Sequence, residues 1–125
     1  MSENETLAKL INDSGGFAKD LVNEFKTFHS KNPEVYELFK TFTFRAINAG
    51  HIRLSSEMII NRIRWETSVE TTDKDYKINN DYKPFYSRMF MYEYPKYKNF
   101  FATRGSFADN VDWETYVVQT AGYTA

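Results

Sequence analysis

The chain has 125 residues, a formal net charge of −1, no cysteine, and 11 Phe, 9 Tyr and 2 Trp. That length suits one domain with enough aromatic mass for a core, and the missing thiols exclude disulfides and thiolate zinc sites. No run approaches the ~18 apolar residues a spanning helix needs, and the acidic start "MSENETLAK" is unlike a signal peptide, so a cytoplasmic protein without membrane contact is expected.

Residues 5–13 predict a short helix with Leu7, Leu10 and Ile11 on one side, broken by "SGG" at 14–16. From Phe17 a second stripe begins: Phe17, Leu21, Phe25 and Phe28 recur at helical spacing, with Val22 beside them, and end near His29. "NPEVYELFKTFTFRAINAG" predicts the clearest helix, over 34–49. Asn32 is placed to cap it, Pro33 suits its first position, and Gly50 can end it in the left-handed region. Val35, Leu38, Phe39, Phe42, Ala46, Ile47 and Ala49 form its inward stripe, with Tyr36 and Phe44 partly off it.

A third helix is predicted over 56–66, with Ser55 as cap, Leu54 and Ile59 as a hydrophobic staple, and Ile59, Ile60 and Ile63 inward. Arg62 stands four residues before Glu66 on an outer face. "TSVETTDKDYK" reads as an irregular excursion. Helical spacing resumes over 82–94, with Pro84 in the first turn and Pro95 as the stop. Residues 99–104 and the β-branched, aromatic run "NVDWETYVVQT" suggest two antiparallel strands joined at "GSFAD". The expected fold class is therefore α+β: an acidic segment 1–16, one mostly helical domain 17–118 closing in a C-terminal β-hairpin, and a tail 119–125 that frays.

The stretches "RIRWET" and "KINNDY", within residues 32–104, resemble a family of small, mostly uncharacterised proteins of bacterial and phage genomes, to which no established activity attaches. The element order also resembles a winged-helix domain. That resemblance implies that 82–94 is a recognition helix and the hairpin a wing, although about fifteen residues separate the second and third helices where such joints are commonly short.

Charge is unevenly spread. Residues 40–104 carry twelve Lys/Arg against seven Asp/Glu, whereas 1–39 and 105–125 are each net acidic. A local basic region attracts phosphate even in a neutral chain. Lys77, Lys83, Lys96, Lys98 and Arg104 are the phosphate candidates, with Arg62 and Arg64 reaching the backbone; Asn79, Asn80, Ser87 and Arg88 suit base edges. The leading expectation is a regulatory, double-stranded DNA-binding protein that is not an enzyme and needs no cofactor. The second is a protein-binding module or inhibitor of a host factor, with Tyr36, Phe44, Trp65 and Trp113 as anchors. The face carrying Tyr36 and Phe44 would also join two copies as a homodimer.

Chemistry has thin support. Glu70, Asp73, Asp75 and Lys77 are the one nuclease-like grouping, more simply a charged loop. His29 and His51 lie in separate segments and read as solvated or capping residues rather than metal ligands.

Overall fold

The computed structural model describes residues 20–69, 77–103, 105 and 107–120. Five helices account for most of them: α1 over 20–31, α2 over Pro33–Asn48, α3 over Ser56–Val69, α4 over Lys83–Glu93 and α5 over Trp113–Thr120. Short 3-10 turns flank α4 and precede α5, at Asn80–Tyr82, Pro95–Tyr97 and Phe107–Asn110. The expected helix at 5–13, the glycine break and the acidic grouping at 70–75 lie outside the described residues.

The local punctuation is largely as the residues dictate. Ser55 accepts the Glu57 amide at 3.2 Å and opens α3, and Pro33 and Pro84 sit in first turns. Gly50 takes φ 103°, and the amides of Gly50 and His51 return to Ile47 and Ala46 at 3.0 and 3.1 Å, closing α2 in a Schellman motif. Asn32 behaves differently. Its side chain makes no cap for α2; Nδ2 donates backwards to the Phe28 carbonyl at 3.1 Å. With one residue between two helices, the orphan carbonyls ending α1 are within its reach.

The C-terminal hairpin is overturned. No strand occurs among the described residues, and the fold is all-α rather than α+β. The extended pairing there is one parallel bridge, Leu54 to Phe101, with the Leu54 amide on the Phe100 carbonyl at 3.2 Å. Phe100 and Phe101 are consecutive and both buried, so the one-in, one-out alternation of a half-solvated strand is absent. The proposed return strand is α5, opened by Asp112, whose carboxylate accepts the Thr115 amide at 3.3 Å and hydroxyl at 2.8 Å. Those bonds satisfy helix-start donors and outweigh the β-propensity of a short aromatic run. Without a wing, the winged-helix reading falls.

The core is built round α4, which touches α2, α3, α5 and all three 3-10 turns. Phe85, Tyr86, Ser87, Met89, Phe90 and Met91 are buried, covering nearly every side of an eleven-residue helix. Phe25 of α1 stacks on Phe85 at 4.7 Å and meets Tyr86 edge-on at 5.1 Å. Phe39 of α2 lies 5.6 Å from Tyr86 and 5.3 Å from Phe101, which itself sits 5.8 Å from Phe90. Hydroxyls inside this core bond back one helical turn: Ser87 to Lys83, Thr43 to Phe39 and Thr67 to Ile63.

Two buried polar atoms have no partner among the described residues, the Tyr86 hydroxyl and His29 Nδ1. His29 was expected in solvent or at a cap, yet it stacks parallel to Phe25 beside Tyr36, Tyr86 and Tyr116. Burial pushes its pKa below the ordinary 6.5; nearby Glu37 opposes the shift and Lys40 adds to it. The same burial pushes the Tyr116 phenol up to about 12 and Tyr86 higher still.

Tyr86→Phe should raise stability by on the order of 1 kcal/mol, because it removes a desolvated hydroxyl and keeps the ring; a clear loss in urea denaturation would show that the hydroxyl is bonded. A depressed histidine pKa stabilises least in acid, because the unfolded chain binds a proton that the native chain refuses. Denaturation midpoints should therefore be highest above about pH 6.5 and fall as pH drops below it, and His29→Phe should flatten that slope. Identical slopes in the two proteins would contradict the assignment.

Candidate functional site

The residues expected on a recognition helix are occupied within the protein. Ser87 is buried. Arg88 is 12% exposed, its Nε donating to Asp109 at 2.9 Å. Lys83 lies 3.7 Å from Glu57. Asn79 accepts the Asp81 amide at 2.8 Å and opens the turn before α4. A helix covered on most sides has no face to lay in a groove, so the recognition-helix reading of α4 is corrected.

Arg62 is engaged too, donating to Glu66 at 2.6 Å and lying over the Phe42 ring. Arg64 is a clamp. Its guanidinium donates to the Ile78 carbonyl, to Asn80 Oδ1 at 2.8 Å and to Asn61 Oδ1 at 3.0 Å, stitching α3 to the segment that leads into α4. Its planar fork suits three fixed acceptors. Lys77, Lys96 and Lys98 remain exposed, and Arg104 lies outside the described residues.

The four aromatic candidates separate sharply. Tyr36 is 3% exposed and donates to Glu93 on α4; burial and that carboxylate raise its pKa far above the usual range. Phe44 packs edge-on against Tyr94 at 4.9 Å, and against Phe90 at 5.3 Å. Trp113 is buried, its Nε1 donating to the Ala108 carbonyl at 2.9 Å. The face expected to pair two copies is thus covered by α4 and the 94–97 turn. Trp65 alone of the four projects into solvent, 63% exposed.

Trp65 has company that sequence reasoning missed. Met58 is 59% exposed and lies seven residues earlier on α3, on the same side; Ile52, before the helix, is 87% exposed. The signal was present for Met58: with Ile59, Ile60 and Ile63 inward, spacings of four and three place Met58, Arg62 and Trp65 opposite them. One side of this ridge opens on a cleft of about 650 Å³ that brings together Arg64, Trp65, Lys77 and Asn79. The other opens on a cleft between α2 and α3 lined by Phe42, Arg45, His51, Leu54 and Met58.

Among the described residues, no group of three or more His, Cys, Asp or Glu side chains is placed to hold a metal ion. Nor is any helix there long and apolar enough to cross a membrane. Comparison with family models, curated proteins and solved structures gives no match. The resemblance of "RIRWET" and "KINNDY" to a bacterial and phage family is therefore without support and is withdrawn.

With one exposed and one buried tryptophan, the two should respond differently to a collisional quencher. Acrylamide should quench the wild-type emission strongly and that of Trp65→Phe weakly, with a blue-shifted maximum in the variant. Equal quenching of both proteins would place Trp65 inside.

Proposed function

We propose that this protein is a non-catalytic protein-binding module whose contact surface is the outer face of α3. The observation that carries the reading is the exposure of Trp65 and Met58 on one ridge between two clefts. Interface centres are rich in Trp and Met, and a large apolar side chain left in water is a standing cost unless a partner covers it. The scaffold suits that use. Ile59, Ile60 and Ile63 lock the inner face of α3 into the core, and Arg64 ties its side to Ile78 and Asn80, so the outer face is held rigid.

Double-stranded DNA is less well served. The cations of α3 and α4 are mostly engaged by the protein's own acids and carbonyls, and an overall charge of −1 provides little long-range attraction.

A photo-crosslinking residue at position 58 or 65 should capture one common partner. Once purified, that partner should bind wild-type protein and lose about tenfold or more in affinity for Trp65→Ser, as expected of an anchor worth over ~1.4 kcal/mol. Circular dichroism would confirm that the variant is folded. Different adducts from the two positions, or equal affinity for both proteins, would refute the reading.

A further inference from the structure

Resting on that reading, we infer that the partner presents an acidic stretch, held by a cationic rim that the 50–54 and 95–100 segments build at the end of the α3 ridge. The segments "RAINAGHIRLSS" (45–56) and "YPKYKNFFAT" (94–103) carry Arg45, Arg53, Lys96 and Lys98 together with His51, and no Asp or Glu. They are distant in sequence. The Leu54–Phe101 bridge lays one beside the other.

Several cations nearer the core are neutralised. Lys40, Arg62, Lys83 and Arg88 each meet a carboxylate. Among the described residues none pairs with Arg53, Lys96 or Lys98. Like charges gathered without counter-charge repel one another and gain when an anion arrives.

The rim is continuous with the apolar ridge. His51 lines both the cleft that holds Met58 and a second cleft of about 390 Å³ that holds Ile52, Lys96 and Lys98. An apolar centre with a charged edge is the plan of a protein interface. Single-stranded nucleic acid would require open aromatic platforms. Of the phenyl rings lining this cleft, Tyr97 is already packed against Phe44 and Phe90, and Phe100 is buried. A lipid surface would be met by an amphipathic helix rather than by one isoleucine at a turn. The chemistry favours an acidic polypeptide with apolar residues between its carboxylates.

The test uses a fluorescent peptide of about sixteen residues alternating Glu or Asp with Leu or Val, its Gln/Asn counterpart, a DNA duplex of similar charge, and vesicles containing phosphatidylserine, each titrated with the full chain. The acidic peptide should bind, weaken about tenfold between roughly 50 and 300 mM salt, and outcompete the neutral peptide, the duplex and the vesicles. Combined R53Q, K96Q and K98Q should weaken it about fivefold or more and flatten the salt dependence. These side chains are exposed, so the variant should melt like wild type. No peptide binding, equal binding of the neutral peptide, a preference for DNA or vesicles, or indifference to the triple substitution would each overturn the inference. Trp65→Ser separates the two claims: peptide binding that survives it but not the triple substitution keeps the rim and removes the α3 anchor, and the reverse keeps the anchor and removes the rim.

Discussion

Everything else in the molecule is arranged around the enclosure of α4 by aromatic rings. Four helices cannot bury an eleven-residue helix without supplying large side chains from every direction, and they do so: Phe25 from α1, Phe39 from α2, Ile60 and Ile63 from α3, and Trp113 from α5. Aromatic rings carry much apolar area and settle into edge-on or offset contacts. A chain with few aliphatic residues past position 76 can therefore still close a core there.

This enclosure also determines which surfaces are free. Once α4 is central, its cations and those facing it must find counter-charges nearby, as Arg88 does with Asp109 and Lys40 with Glu93. The outer face of α3 and the segments beyond Gly50 and Pro95 are left facing outward. Ile52, Met58 and Trp65 are exposed in that periphery, and Arg53, Lys96 and Lys98 lie there too, where packing of the interior makes no demand.

Much of α2 and α3 was legible in the sequence. Both combine a clean helical period with explicit ends: Pro33 and Gly50 for one, Ser55 for the other. The C-terminal part was not, because Val, Thr and aromatic residues favour strands on average while the decisive feature was Asp112, a cap. Periodicity located α4 but could not show that it lies in the middle, since a helix covered on most sides has only a narrow polar face to betray its orientation. The basic residues were visible, but their pairing was not: Arg88 and Asp109 are 21 positions apart. Tyr36 and Trp65 looked alike as anchors, and only the arrival of α4 over Tyr36 distinguishes them.

Gly50 has a consequence beyond ending a helix. At φ 103° its backbone disfavours ordinary side chains, yet no heavy atom lies within 4 Å of where a Cβ would stand. The position thus disfavours L side chains by torsion and not by crowding: L-alanine there is strained although nothing stands in its way. The turn leading to Ile52 is held by that torsion and by the two amides bonded back to α2, with no neighbour pressing on Gly50.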